Sequence, residues 1–155
     1  MENEAFIRLG MFTGVLVVMA LWESFVPRRQ RIVSRWRRSV NNLLLVGVAS
    51  LTVRVIPALS AVAAARWSAH NKIGLLNLFE APGWLKVLAA LFALDLLLYG
   101  QHVATHRFSM LWRLHRVHHA DLDLDATSGV RFHPVEILLS MGIKVIAVTL
   151  LGSGY

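Results

Sequence analysis

Several features are missing from this 155-residue chain, and each absence removes a class of protein. Cysteine is absent, so disulfide frameworks and thiolate metal sites are excluded, and any metal must be bound through nitrogen and oxygen. No basic region precedes the first apolar run, where Glu2 and Glu4 stand instead, and no small-residue cleavage site follows it. We therefore expect that run to be a retained transmembrane helix and not a signal peptide.

An acidic repeat, D-L-D-L-D over residues 121–125, lacks the other residues of a calcium loop. The sixth position of that pattern requires glycine and is Ala126, and the twelfth requires glutamate and is Phe132. The repeat is therefore interpreted as a solvated loop.

Apolar residues dominate the chain and occur in long runs. They make up 56% of the sequence, and the mean hydropathy is +0.57. The runs cover about residues 6–26, 40–65, 84–100 and 135–151, and such lengths suit a bilayer core of about 30 Å. The pattern predicts an all-α integral membrane protein with about four transmembrane helices.

A strongly basic stretch separates the first two runs. Residues 27–39 contain six arginines and no acid. A nucleic-acid patch is one reading of such charge, but between two apolar segments the stretch is better explained as a cytoplasmic loop that follows the positive-inside rule. We therefore predict no nucleic-acid partner.

Histidine is concentrated in one place, since six of the seven histidines lie between residues 99 and 134. Five of them form two clusters at helical spacing, in which side chains three or four positions apart share a face. Their spacing predicts a metal centre with the ligands His102, His106, His115, His118 and His119. A zinc peptidase is disfavoured, because its H-E-x-x-H motif needs a glutamate where Val103 stands.

Three further residues are candidates for an additional ligand or for orienting a ligand. Asp95 and Tyr99 fall on the same helical face as His102 and His106, and His133 directly precedes Pro134. Ordinary interhelical packing is an equally good interpretation of Asp95 and Tyr99.

Three motifs together resemble the sterol desaturase/fatty acid hydroxylase superfamily: D-L-L-L-Y-G-Q-H-x-x-x-H over residues 95–106, L-W-R-L-H-R-V-H-H over 111–119, and R-F-H-P-V-E over 131–136. The resemblance spans about residues 35–151. Its members often have an arginine where this chain has Val103, and they carry a third histidine box that is not found before Tyr155. The sequence is therefore expected to be the amino-terminal part of one histidine-box hydroxylase domain, with residues 101–134 as its histidine-box segment.

The resemblance implies an oxidoreductase that contains a non-haem di-iron centre and uses O₂ to hydroxylate or desaturate a sterol, fatty acyl or carotenoid-like lipid. It also implies a separate redox protein as electron donor. An even number of crossings separates the boxes from the basic loop, so a multi-pass protein of the cell membrane with both on the cytoplasmic side is expected. Assembly as a homo-oligomer is left open. The alternatives are a non-enzymatic membrane protein that binds metal or haem, and a subunit whose site a partner chain completes.

Overall fold

The computed structural model describes residues 2–27, 30, 32–56 and 60–152, and it contains helices and no strand within those ranges. The α-helices are α1 (Glu2–Phe25), α2 (Arg35–Val55), α3 (Ala61–His70), α4 (Gly83–Arg107), α5 (Ser109–His115) and α6 (Pro134–Leu151). Short 3₁₀ turns occur at Leu75–Asn77, His118–Ala120 and Ser128–Val130. The predicted all-α class is confirmed.

Three helices in the described part of the chain are long and apolar enough to cross a membrane. They are Phe6–Phe25 within α1, Gly83–Arg107, which is α4, and Pro134–Leu151, which is α6. Each corresponds to one of the predicted apolar segments. Helix α4 continues beyond the predicted end at residue 100 and so carries the first histidine box on its last two turns.

The predicted second segment, residues 40–65, differs from the structure. It is not one helix, because α2 ends at Val55 and α3 begins at Ala61, where the Ser60 hydroxyl accepts a hydrogen bond from the Ala63 N–H. Helix α2 is not among the three candidate spans, since it begins with three arginines of the basic stretch and contains two asparagines and Arg54. The single helix predicted over this range is therefore corrected to two helices.

The helices are arranged around α6, which packs against α2, α3 and α4. Few large apolar side chains are buried by this packing, and residues such as Phe92 and Leu96 of α4 are 72% and 59% exposed. Polar residues, in contrast, are prominent among the buried ones. Apolar outside and polar inside is the arrangement expected of helices that face lipid.

A close backbone contact fixes the end of α6 against the turn before Leu75. Gly152 ends the helix in the left-handed conformation, with φ +66°, and Gly74 has φ +114°. A Cβ added to Gly74 would lie 2.3 Å from the Gly152 Cα atom. Both the conformation and the spacing therefore require glycine.

One end of the helix bundle collects the segments that carry the histidines and the basic stretch. The Ala126 N–H donates to a Glu23 carboxylate oxygen at 3.0 Å, which joins α1 to the loop before α6. The Val33 N–H donates to the Asp123 carboxylate at 2.8 Å, which joins the basic stretch to the same loop. The predicted histidine-box segment thus lies at the end of the bundle where α1 finishes and α2 starts.

Candidate metal centre

Helices α4 and α5 bring three of the predicted ligands together. His102 and His106 lie one turn apart near the end of α4, and α5 turns back so that His115 faces both. The ring centroids of His102 and His106 are each within 4.9 Å of the His115 centroid. One ring nitrogen from each of these three residues lies within 4.8 Å of the other two, which is close enough for a shared ion.

The remaining two predicted ligands extend the same cluster. The His119 ring lies 5.0 Å from those of His106 and His115, and the Nε2 atoms of His115 and His119 are 3.3 Å apart. The His118 ring follows at 5.1 Å from the ring of His119. The structure therefore brings all five histidines into one continuous group, while their role as ligands stays a prediction.

His115 is the best anchored of the five. Its side chain is 1% exposed, and its Nδ1 atom lies 2.6 Å from the Glu136 Oε1 atom at the start of α6. With the Nδ1 proton donated to this carboxylate, the Nε2 lone pair points into the cluster. A carboxylate behind a histidine is how proteins orient imidazoles that bind metals.

Glu136 was missed by the sequence reasoning, although it lies in the third motif. A glutamate inside an otherwise apolar segment is costly in a membrane and indicates a polar partner. That signal was available from the sequence, but the identity of the partner, His115, depends on the packing of α5 against α6.

His118 is held by two neighbouring residues. Its Nδ1 atom donates to the Arg131 carbonyl oxygen at 3.2 Å, and its ring stacks on Phe132 at 4.5 Å with an interplanar angle of 5°. These contacts leave Nε2 as the atom with a free lone pair, so the tautomer of His118 also suits metal binding.

The three further candidates lie in different surroundings. His133 caps α6, where its Nδ1 atom accepts a hydrogen bond from the Val135 N–H at 3.2 Å. Asp95 is exposed and Tyr99 is 67% exposed, on the outside of α4. The structure gives none of the three a ring contact or hydrogen bond to the histidine cluster.

Two carboxylates of the acidic repeat are buried, although Leu122 and Leu124 between them are exposed, so the interpretation of the repeat as a solvated loop is wrong for its acidic side chains. The side chains of Asp121 and Asp125 are 2% and 5% exposed, and both accept hydrogen bonds from Arg38 at the start of α2. Asn42 donates to Asp121 at 3.0 Å, one turn further along α2. Burial alone would raise the pKa of Asp121, but hydrogen bonds from Ser128, Asn42 and Arg38 lower it below its usual value. The repeat is thus an internal anchor.

Arg131 connects this anchor to the second histidine box. Its Nη1 group donates to the Asn42 Oδ1 atom at 3.1 Å, and its Nε–H donates to the Val117 carbonyl at 2.9 Å. Its own carbonyl oxygen accepts the hydrogen bond from His118. The position of the second box therefore depends on polar contacts that reach α2.

One face of the cluster is open, because His102, His106 and His119 are exposed while His115 is buried. Desolvation, followed by repulsion from His115 and His118, lowers the pKa of His119. A lowered pKa favours the neutral imidazole, which is the form that binds metals.

The donor set fits iron. Five imidazoles with one supporting carboxylate, and no thiolate, are ligands suited to iron among other transition metals. The 3.3 Å between the Nε2 atoms of His115 and His119 suits two ligands of one ion, since metal–imidazole bonds measure about 2.0–2.1 Å for zinc.

A cavity of about 200 Å³ opens beside the cluster, between α4 and α6. His102 and His115 form part of its wall, and Leu98, Phe132 and Ile137 supply apolar surface. The cavity therefore adjoins the histidine cluster and combines polar with apolar wall residues.

Comparison with known proteins identifies the region that contains the cluster. Residues 87–155 match the family model described as fatty acid hydroxylase, and this range includes all five histidines and Glu136. No curated protein gives a significant match to the chain, and no solved structure does. The resemblance found in the three motifs is confirmed over residues 87–155, where the match to the fatty acid hydroxylase model is consistent with the sterol desaturase/fatty acid hydroxylase superfamily.

Proposed function

We propose that the chain is a membrane oxidoreductase that uses non-haem iron, as a di-iron centre, and O₂ to hydroxylate or desaturate a lipid. His102, His106, His115, His118 and His119 would hold the iron. The observation that carries this proposal is the single cluster that these five rings form, with the buried His115–Glu136 pair behind it. Iron bound there supplies the oxidising power needed to attack an unactivated C–H bond.

The residues of the chain contribute orientation and exclusion of water. Glu136 holds the Nδ1 proton of His115, and the Arg131 carbonyl holds that of His118, so each ring keeps its Nε2 lone pair for the centre. The apolar wall of the cavity accepts a hydrocarbon chain and keeps bulk water from the reacting carbon. Sterol, fatty acyl and carotenoid-like lipids are all compatible with such a wall.

The arrangement at one end of the bundle supports a cytoplasmic location for the centre in a cell membrane. Contacts from Asp123 and Glu23 join the basic stretch and α1 to the histidine-box loop. If the basic stretch follows the positive-inside rule, the histidine-box loop therefore lies on the cytoplasmic side with it. Reduced redox proteins occur on that side, and one of them would deliver electrons to the open face of the cluster. Assembly with a second copy is compatible with this arrangement.

Haem binding is a weaker alternative. Axial histidines must face each other across a flat macrocycle, whereas each ring of the cluster has other rings beside it at about 5 Å. The exposure of His102, His106 and His119 gives some support to another alternative, in which a partner chain covers the open face and completes the site.

Iron analysis of the purified chain tests the proposal. We expect iron to copurify with the protein in detergent, without a Soret band, and to be lost when His115 or His119 is replaced by alanine. His70→Ala is the matched control, because His70 ends α3 and lies outside the cluster. The proposal would be contradicted if the wild-type protein took up no iron under anaerobic loading. It would also be contradicted if His70→Ala lost as much iron as the His115 and His119 variants.

A further inference from the structure

The cavity beside the histidines is more polar than a hydrocarbon site needs to be. Glu136, Ser140 and Lys144 recur every four residues along α6, so they share one face, and all three line the cavity. Lys144 lies ten residues after Pro134, which is about 15 Å into the helix. An ionisable residue at such a depth in a candidate membrane span is expensive and by default indicates a functional site.

Two hydrogen-bond acceptors of this wall lack donors among the described residues. The Glu136 Oε2 atom is buried without a partner, although Oε1 is bound to His115, and the Gln101 Oε1 atom of α4 is in the same condition. An unsatisfied buried acceptor costs about 1–3 kcal/mol. Because both residues line the cavity, a hydrogen-bond donor inside it would satisfy one of the two atoms.

We propose that this cavity is a subsite for a hydroxyl group of the lipid substrate. This inference rests on the proposed function, which supplies the lipid substrate. A hydroxyl group donates one hydrogen bond, to Gln101 or Glu136, and accepts hydrogen bonds from the Ser140 hydroxyl or the Lys144 ammonium group. The subsite adjoins His102 and His115. The carbon that reacts would therefore lie near the polar end of the lipid and not far along its chain.

Charge and hydrogen bonding disfavour the two simplest alternatives. An ionised carboxylate would attract the Lys144 ammonium group, but it has no proton for the two acceptors and would add negative charge beside Glu136. A plain hydrocarbon would leave both acceptors and the Lys144 ammonium group without partners. A neutral hydroxyl group suits both ends of the cavity.

Three probes with the same sixteen-carbon chain separate these possibilities: hexadecanol, hexadecane and hexadecanoate. The iron-loaded full chain in detergent micelles is incubated with each probe, and the probe retained per chain after gel filtration is measured by mass spectrometry. We expect hexadecanol to be retained preferentially over both of the others. Lys144→Met and Ser140→Ala should each lower hexadecanol retention about three- to tenfold, because each removes one hydrogen-bond donor to the hydroxyl group. Neither substitution should change hexadecane retention.

Lys86→Met is the matched control, because Lys86 lies on α4 and is not part of the cavity wall. Equal retention of the three probes by wild-type protein would overturn the subsite, as would preferential retention of hexadecanoate or an equal loss in Lys86→Met. Gln101→Leu provides a second check, because it removes an acceptor that has no partner inside the protein. The subsite predicts lower hexadecanol retention in this variant, whereas a merely structural role of Gln101 predicts unchanged retention.

Iron content, measured on the same samples, keeps the two proposals distinguishable. A chain that binds iron but shows no preference for the alcohol would refute the subsite alone. The opposite outcome is a protein that retains hexadecanol preferentially, loses this retention in Lys144→Met and Ser140→Ala, and takes up no iron. That outcome would support the subsite and refute the proposed oxygenase.

Discussion

Replacement of Arg38 by methionine tests whether the acidic repeat is an internal anchor. Arg38 is 6% exposed and hydrogen-bonds to both Asp121 and Asp125, whose side chains are also nearly inaccessible. Methionine conserves much of the volume but leaves two buried carboxylates without their cation. Breaking a buried ion pair in this way costs about 3–5 kcal/mol, because the desolvated carboxylates that remain keep only neutral hydrogen-bond donors.

The assay is unfolding of the detergent-solubilised protein, followed by circular dichroism with increasing temperature and denaturant. For a chain of this size the expected loss corresponds to a decrease in melting temperature on the order of 10 °C. Arg37→Met is the matched control, since Arg37 is the exposed neighbour of Arg38 on α2 and should change stability by less than about 1 kcal/mol.

A combined variant separates charge from packing. Adding Asp121→Asn and Asp125→Asn to Arg38→Met removes the uncompensated charges, so a substantial part of the lost stability should return. If Arg38→Met is as stable as Arg37→Met, or if the asparagine replacements deepen the loss, the reasoning about a buried anchor is refuted.

Two further predictions concern the metal centre and the end of α6. Glu136→Gln should lower iron affinity about 10–100-fold while the helical content is kept, because His115 loses the carboxylate that fixes its tautomer. Glu80→Gln at an exposed site is the control. Unchanged iron affinity in Glu136→Gln would contradict the role of Glu136. Gly74→Ala should destabilise the protein by about 1–3 kcal/mol in thermal unfolding, through backbone strain and the clash with the end of α6 at Gly152. Gly47→Ala within α2 has open space and should stabilise the protein by up to about 1 kcal/mol, and equal effects of the two substitutions would refute this account.

The sequence predicted the helical class and the position of the cluster because both depend on local patterns. Apolar runs define α1, α4 and α6, and helical spacing of the histidines places His102 and His106 on one face. The two boxes could be expected to meet, since only a short segment separates them along the chain.

The features that the sequence did not predict depend on contacts between distant segments. The break between α2 and α3 is an exception, because Pro57 between them is a local signal, but it was interpreted as a kink within one helix and not as a boundary. The acidic repeat was taken as solvated because its cation, Arg38, lies more than eighty positions earlier and was assigned to a loop. Glu136 and Lys144 carried a usable signal, as charged residues in an apolar segment, but only the packing of α6 shows what they face.

The anchor formed by Arg38, Asn42 and the acidic repeat has a consequence for biosynthesis. Helices α1 and α2 leave the ribosome first, and the loop that carries the carboxylates follows about eighty residues later to settle on a surface already inserted. The histidine cluster would therefore reach its final arrangement late and only in the presence of α1 and α2, although neither helix supplies a histidine. A chain expressed without its first sixty residues would keep both histidine boxes but lose the Arg38 and Asn42 contacts on which the position of the second box depends.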